Sequence, residues 1–198
     1  MMEEKRTIGD WEVLQGIHIG DREVLLLLDP TSAEAPYVVC YNQLIPGLGV
    51  DHPTECVGSN DYLEMMEEFL SRVKGQIVAV LNDREKSSEP QEVFGAGHCL
   101  PGGMDESLVG RVVVMKADVL RHEYRNAARQ IILVTGGFGA SPNARGRAVF
   151  GNNVFSGTKS DWRREDVLGI LDPAKAPEWV KPGLEAIRAQ KAKDRGDR

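Results

Sequence analysis

Residues 59–80 read SNDYLEMMEEFLSRVKGQIVAV, and this stretch decides the fold class. Ser59, Asn60 and Asp61 are residue types that cap helix starts, and Asp61 precedes Glu64 by three positions, as in a capping box. The apolar residues that follow at steps of three and four are Tyr62, Met66, Phe69, Val73, Ile77 and Val80. Such spacing puts apolar side chains on one side of a helix, so we predict a long amphipathic helix packed on a sheet.

Three strands and a loop are predicted before this helix. Trp11–Ile19 and Glu23–Asp29 are rich in β-formers and flank a turn signal, so they predict a hairpin. Tyr37–Tyr41 predicts a third strand. Residues 43–53 contain two prolines and two glycines and predict a loop. A short strand is expected at Thr54–Val57.

The chain after the helix predicts a second group of strands. Residues 82–90 read NDREKSSEP, a charged and polar stretch that predicts a linker. Further strands are predicted at Arg111–Met115, Gln130–Thr135, Arg147–Phe150, Lys159–Arg163 and Asp166–Ile170. A C-terminal helix is expected from Pro177.

These elements predict an α+β fold, because strands follow one another through short turns and helices are few. We expect largely antiparallel sheets, one long amphipathic helix and a C-terminal helix. Residues 1–88 form an acidic βββα unit in this interpretation, and residues 89–198 form a basic β-rich unit. The sequence leaves open whether the two units fold as one compact domain.

Charge is divided unevenly along the chain. Residues 1–110 hold 7 Lys and Arg against 20 Asp and Glu, whereas residues 111–198 hold 17 against 10. This asymmetry indicates an acidic surface and a basic surface with different partners, or two halves that attract each other.

The N-terminal residues and the cysteines indicate the compartment. The N-terminus begins MMEEKR and lacks the apolar segment of a secretory signal, and the longest apolar run is Val24–Leu28. The cysteines Cys40, Cys56 and Cys99 have no CxxC spacing. We therefore expect a cytoplasmic protein without a disulfide scaffold.

No catalytic or cofactor motif is complete. Gly136–Gly139 follows a strand, but the next residues complete neither a dinucleotide-binding nor a Walker motif. The glycines predict either a tight connection or an anion-binding nest. His52 with Cys56, and His98 beside Cys99, are the suggestive metal-ligand pairs, but the chain has no CxxC or HxxxH element of a structural zinc site. We predict no cofactor, no metal and no enzymatic activity; a dispersed site around His98, Cys99 and the glycine loop is the alternative.

The most distinctive composition is a basic and aromatic group in the second half. Arginine pairs with phosphates and carboxylates, and aromatic rings supply stacking surface. The alternative is a solvated face paired with the acidic half. Phe150 is interleaved with this group and is expected in the core. The candidate binding residues are Arg121, Arg125, Arg129, Arg145, Arg147, Trp162, Arg163 and Arg164.

The main helix carries an acidic group. Glu64, Glu67 and Glu68 lie mostly off its apolar side and are candidates for binding a basic partner surface. An ordinary solvated helix face explains the same residues.

Five segments of the chain are distinctive: residues 10–20 (DWEVLQGIHIG), 61–66 (DYLEMM), 119–125 (VLRHEYR), 135–150 (TGGFGASPNARGRAVF) and 162–169 (WRREDVLG). They resemble segments of small proteins of gut Firmicute mobile elements, a group that includes a type II-A anti-CRISPR inhibitor of Cas9. The likeness spans roughly residues 10–171.

The resemblance implies a protein that binds Cas9 or its guide-RNA complex, with duplex DNA as a further contact, and blocks cleavage without catalysis. It assigns no role to any residue, so the candidate residues above come from charge and composition. An acidic surface would engage the arginines with which Cas9 contacts DNA, whereas a basic surface would hold nucleic acid. The alternative function is a DNA- or RNA-binding accessory protein of a mobile element.

Overall fold

The computed structural model has two five-stranded antiparallel sheets, one long helix and a C-terminal helix, which confirms the α+β prediction. The structure describes residues 5–45, 50–101, 106–142 and 146–196, with only the backbone of residues 44, 45, 191 and 194–196. The chain divides into two compact units, Met1–Ser88 and Glu89–Arg198.

The first unit contains a sheet whose strands lie side by side in chain order. They are β1 (Thr7–Ile8), β2 (Trp11–Ile19), β3 (Arg22–Leu28), β4 (Tyr37–Ile45) and β5 (Val50–Ser59). The prediction of a loop at residues 43–53 is therefore wrong where the structure describes them, because β4 and β5 pair as far as Ile45 and Val50. Pro53 is tolerated because β5 is an edge strand, where a missing N–H breaks no ladder.

Strand β3 is apolar on both faces. Val24 and Leu26 pack with the long helix, whereas Leu25 and Leu27 belong to a cluster on the opposite face that includes Cys40. All five are fully buried. A strand buried on both sides reads as a continuous apolar run rather than an alternating one, which explains the sequence EVLLLL.

The long helix α1 (Tyr62–Ser87) begins where the capping residues predict. The Asp61 carboxylate accepts hydrogen bonds from the backbone N–H groups of Leu63, at 2.8 Å, and Glu64, at 3.3 Å. The helix continues through most of the predicted 82–90 linker and ends at Ser88 in a left-handed conformation. Lys, Arg and Glu are good helix formers, so a charged stretch predicts a linker poorly.

The second unit places its first strand inside the sheet, between its last strand and its second. Its strands are β6 (Val112–Met115), β7 (Ile131–Gly136), β8 (Ala148–Asn153), β9 (Lys159–Arg163) and β10 (Val167–Ile170), in the order β10-β6-β7-β8-β9. A 3-10 turn, Arg164–Asp166, joins β9 to β10.

Two apolar clusters hold the second unit together. One joins Val113, Ile132 and Val149 on one side of the sheet. The other packs the opposite side against helix α3 (Val180–Gly196). Gly183 makes this contact possible, because a Cβ atom there would lie 2.3 Å from the carbonyl oxygen of Val154. The short helix α2 (Ala127–Gln130) precedes β7.

Candidate functional site

The outward face of strands β8 and β9 gathers several of the candidate binding residues. Val149 and Trp162 are cross-strand partners that pack into the core cluster, so the next residues along each strand point the other way. Phe150 pairs with Asp161, and Ala148 pairs with Arg163. We call this the β8–β9 surface; its strand residues are Phe150, Asn152, Lys159, Asp161 and Arg163, and it includes Arg147, which directly precedes β8 and shares Glu165 with Arg163.

Phe150 is the apolar centre of the β8–β9 surface and is 47% exposed. The prediction that it belongs to the core is wrong, because the two-residue period of β8 gives the inward position to Val149. Phe138, in the β7–β8 connection, is 82% exposed and stands over Gly146. Phe150 lies across from Asp161, whose neighbours on the same face of β9 are Lys159 and Arg163, so an exposed apolar ring and two cations share this face.

The cations of the β8–β9 surface are loosely held. Glu165 lies 4.0 Å from Nε of Arg147 and 3.5 Å from Nη1 of Arg163, and all three side chains are at least half exposed. Exposed ion pairs contribute about 0–1 kcal/mol, so a partner can replace them at little cost. The guanidinium groups of Arg147 and Arg163 are therefore accessible to carboxylates or phosphates.

Shallow grooves follow the β8–β9 surface. One of about 380 Å³ is lined by Thr135, Phe150, Asn152, Lys159 and Asp161. A second, of about 430 Å³, shares Asn152 and Lys159 with it and runs between the β8–β9 turn and α3. Both grooves are open to solvent, unlike the enclosed clefts that bury most of a small ligand.

Three of the predicted binding arginines, Arg125, Arg129 and Arg164, bond to groups within the second unit and stabilise its fold. Arg129 is bonded to the almost fully buried carboxylate of Glu89 and lies 4.8 Å from the centre of the Tyr124 ring. Arg125 donates from Nε to the carbonyl oxygen of Leu120 at 3.0 Å. Their charge is thus used inside the second unit.

Arg164 ties separate loops together. Its Nη1 donates to the carbonyl oxygens of Gly139, at 2.5 Å, and Ser141, at 3.2 Å, and its Nη2 donates to that of Glu106 at 3.3 Å. Five donors in a fixed fork allow one side chain to satisfy several carbonyl groups. Arg164 is therefore a structural residue of the β7–β8 connection.

The remaining predicted basic-group residues fall in three classes. Arg121 is exposed on a 3-10 turn away from β8 and β9 in the chain. Trp162 is half-buried, packs on the core cluster and donates from Nε1 to Oγ of Ser160 at 3.0 Å. Arg145 lies outside the described residues. Only part of the predicted group is thus brought together at the β8–β9 surface.

The acidic group of α1 is also partly used by the fold. Glu64 accepts from Oγ of Ser59 at 2.5 Å, which fixes the start of the helix. Glu68 accepts from Nε of Arg72 at 2.6 Å, and Arg72 reaches on to the carbonyl oxygen of Glu55. Glu67 is exposed. These contacts favour the ordinary helix-face interpretation for Glu64 and Glu68.

The glycine loop forms a tight connection. The N–H of Gly139 donates to the carbonyl oxygen of Ala148 at 2.7 Å, and that of Ala140 donates to Gly137 at 3.0 Å. Gly137 has φ +109°, a conformation that other residues rarely adopt. N–H groups used in this way are unavailable for an anion, so the geometry favours the tight connection over the nest.

The alternative catalytic residues include His98 and Cys99, both half-buried, and Glu92 lies 3.7 Å from Nε2 of His98. Burial raises the pKa of the Cys99 thiol, which keeps it protonated and weakly nucleophilic. His98 stacks on Phe94, with ring centres 4.1 Å apart, and its Nδ1 accepts from the N–H of Gly95 at 3.1 Å. Burial, together with the neighbouring Cys56, raises the pKa of Cys40 to about 12.

Two classes of site are not seen in the described part of the chain. No three His, Cys, Asp or Glu side chains there are grouped so that they could hold a metal ion. No helix among these residues has the length and apolar character needed to cross a bilayer.

Outward-facing Asn152, Lys159 and Asp161 were not predicted as site residues. The signal that could have found them is the alternation of β8 and β9, once Val149 is assigned to the core. The side chains of Asn152 and Lys159 line both grooves, and Asp161 stands across from Phe150.

The fold and this surface define a two-unit α+β protein with an open aromatic and basic face. Comparisons with protein-family models, with curated proteins and with solved structures give no match for this chain. The β8–β9 surface and the sequence resemblance are therefore the two indications of function.

Proposed function

We propose that this chain is a non-catalytic counter-defence protein of a mobile element. In this proposal it binds a type II-A Cas9, or its guide-RNA complex, in the bacterial cytoplasm and inhibits DNA binding or cleavage. The observation that carries the proposal is the exposed Phe150 flanked by Arg163 and Lys159 on β8 and β9. Aromatic residues and arginine are the types most enriched in protein interfaces and at their hot spots.

The sequence resemblance supports the same region. Its most distinctive segment is residues 135–150, which is followed by residues 162–169. Where the structure describes them, these segments include the β7–β8 connection, the first half of β8, the end of β9 and most of β10. Phe138, Phe150 and Arg163 all lie in these segments. The part of the chain most similar to the inhibitor group is thus the part that presents accessible aromatic rings and guanidinium groups.

The chemistry of such an interface follows from these side chains. Phe138 and Phe150 would lose water on binding and act as apolar anchors. Arg147 and Arg163 would pair in bidentate fashion with carboxylates of Cas9 or with phosphates of its guide RNA. Binding occludes a surface and needs no bond-making step, which agrees with the unactivated thiol of Cys99.

A stoichiometric titration tests the proposal. The full-length chain is added to a type II-A Cas9 cleavage reaction before or after the guide RNA. We expect cleavage to stop near one inhibitor per Cas9, and the order of addition identifies which state of Cas9 is bound. Unchanged cleavage at a large excess, across several type II-A enzymes, would contradict the proposal.

Variants of the β8–β9 surface locate the contact. We expect Phe150→Ala combined with Arg163→Glu to weaken inhibition at least about tenfold, the size of a hot-spot loss. The matched control is Val109→Ala with Arg111→Glu, an exposed apolar residue and an exposed arginine elsewhere in the same unit. Equal inhibition by both double variants would exclude the β8–β9 surface as the contact.

Nucleic-acid binding is the second candidate, favoured by the same pairing of phenyl rings and guanidinium groups. Bases stack on aromatic rings while cations neutralise phosphates, and such binding weakens steeply with salt. Arg147→Glu with Arg163→Glu should then reduce affinity for all sequences and flatten the salt dependence. Unchanged DNA and RNA binding by this variant would reject the second candidate at this surface.

A further inference from the structure

Helix α1 carries a second apolar side, next to the side that packs on its sheet. Met65 and Phe69 are buried against β3 and β4, with Met66 and Val73 packed beside them. The exposed apolar residues of the helix are Tyr62, Leu63, Leu70, Ile77, Val78 and Leu81, so the prediction that Tyr62 and Ile77 are buried against the sheet is wrong. Apart from Tyr62, their spacing places them within about 100° of one another around the helix axis.

Exposure on this side is substantial. Leu63 is 70% exposed and Leu70 is 56% exposed. Single exposed leucines are common on protein surfaces, but five apolar side chains in one stripe are not. From Leu63 to Leu81 the stripe runs for about 27 Å, which is five turns of helix.

Two charges of opposite sign lie within the stripe. Reading along the helix, its centre line is Leu63, Glu67, Leu70, Lys74 and Val78. Both charged side chains are exposed, and neither forms an ion pair in the part of the chain that the structure describes. Intrahelical pairing requires a separation of three or four residues, whereas Glu67 and Lys74 are seven apart.

The two ends of the centre line complement each other: apolar residues match apolar residues, and the acid matches the base. About the midpoint between residues 70 and 71, Leu63 mirrors Val78 and Glu67 mirrors Lys74. A second copy of the helix, lying antiparallel, therefore sets Glu67 opposite Lys74 of the other copy twice. The same register sets Leu63 opposite Val78 of the other copy and brings the two Leu70 side chains together at the centre.

We propose that α1 is a homodimerisation surface, on which a second copy of this chain docks antiparallel in this register. A parallel arrangement would oppose Glu67 to Glu67 and Lys74 to Lys74, which is unfavourable. A lipid surface fits poorly, because lipid-binding helices carry basic polar faces, whereas the first turns of α1 carry Glu64, Glu67 and Glu68. This dimer is independent of the function proposed above.

Sedimentation equilibrium of the full-length chain, without Cas9 or nucleic acid, tests the proposal. A single helix pair is a small interface, so we expect a dissociation constant of about 1–100 µM. Leu70→Glu should weaken dimerisation at least about tenfold, since it places two carboxylates at the centre. Val109→Glu, at an exposed apolar site in the other unit, is the control and should dimerise like the wild type.

Charge exchange tests the antiparallel register. Glu67→Lys and Lys74→Glu should each weaken dimerisation, because each single variant replaces two attractive pairs by two repulsive ones. The double variant restores both pairs in reversed sense and should recover wild-type affinity within about threefold. Lys86→Glu, on another side of the same helix, is the matched charge-reversal control.

Three outcomes would overturn the proposal. They are a wild-type chain that stays monomeric at several hundred micromolar, a Leu70→Glu variant that dimerises normally, and a double charge variant no better than the single ones. Circular dichroism and thermal midpoints establish that each variant is folded. A monomeric wild type whose Leu70→Glu variant loses Cas9 inhibition would assign the stripe to a different protein partner and would also reject the dimer.

Discussion

Arg129 and Arg163 lie in the same unit and came from the same sequence cluster, yet the fold uses them in opposite ways. Arg129 is bonded to the buried carboxylate of Glu89 and covers the Tyr124 ring. Arg163 points outward from β9 and meets only the exposed Glu165 among its described ion pairs. A run of arginines therefore does not define a binding surface; what matters is which carboxylates and carbonyl groups lie within reach after folding.

The surroundings of Arg129 explain this difference. Asn126, which caps α2, also donates from Nδ2 to Glu89 at 3.4 Å. Gln130 donates from Nε2 to the carbonyl oxygens of Phe94 and Met115, each at 2.8 Å, and accepts from the N–H of Phe94. The segment that begins the second unit is thus fastened to α2, and a buried acid there requires a cation.

The largest effect is expected at Arg129. Arg129→Ala leaves the carboxylate of Glu89 buried without its cation, so the free energy of unfolding should fall by about 3 kcal/mol. Urea denaturation measures this change. Arg163→Ala is the control and should stay within about 0.5 kcal/mol of the wild type. Similar losses of unfolding free energy in both variants would show that Arg129 and Arg163 contribute equally to stability.

An intermediate effect is expected at Arg164. Arg164→Ala removes the donors for the carbonyl oxygens of Gly139, Ser141 and Glu106, and we expect a loss of about 2 kcal/mol in the free energy of unfolding. Hydrogen exchange should also become faster in the β7–β8 connection, because the loop loses its anchor. Unaltered hydrogen exchange in the β7–β8 connection would show that Arg164 does not anchor it and belongs with Arg163 as a candidate binding residue.

The smallest of the three effects, and the one that depends on pH, is expected at Arg6 in the first unit. Arg6 donates to both carboxylate oxygens of Glu23, at 2.6 and 2.8 Å, and this bonding lowers the pKa of Glu23. A lowered pKa stabilises the fold above the unfolded value of about 4.3 and ceases to do so as pH falls through the folded value.

Arg6→Ala should therefore cost about 1 kcal/mol at pH 7, a value that allows for the half-exposed guanidinium. The difference between the wild type and this variant should shrink as pH falls below about 4.3. Thermal midpoints of both proteins from pH 7 to pH 3 measure it. Lys5→Ala, which removes a more exposed ion pair with Glu12, is the control. A difference that does not vary with pH would contradict the assignment to Glu23.

Much of the fold could be predicted because local patterns agree with the tertiary structure. The capping residues before Tyr62 and the three- and four-residue spacing of α1 located the helix start. The apolar runs at β3 and β7 located central strands. The ends of elements are less predictable. The charged stretch at residues 82–90 predicts a linker, but α1 continues through most of it. The prolines and glycines at residues 43–53 predict a loop, but β4 reaches Ile45 and β5 begins at Val50.

The candidate site was predictable only in part. The sequence indicated that the cations and aromatic rings of the second half were concentrated there, and Arg147 and Arg163 do lie at the surface. It did not separate them from Arg125, Arg129 and Arg164. For Arg129 and Arg164 the reason is that their partners, Glu89 and Gly139, are distant in the chain. Phe150 was assigned to the core because aromatic residues usually lie there.

The sequence by itself determined the fold class, the position of α1 and the regional excess of charge, because propensity, capping and period are local properties. Only the tertiary structure decided which arginines are held inside, that Phe150 faces outward, and that α1 has a second apolar side left uncovered. The physical reason is that burial and hydrogen-bond partnership are set by residues far apart in the chain, such as Glu89 with Arg129 and Gly139 with Arg164, which only folding brings into contact.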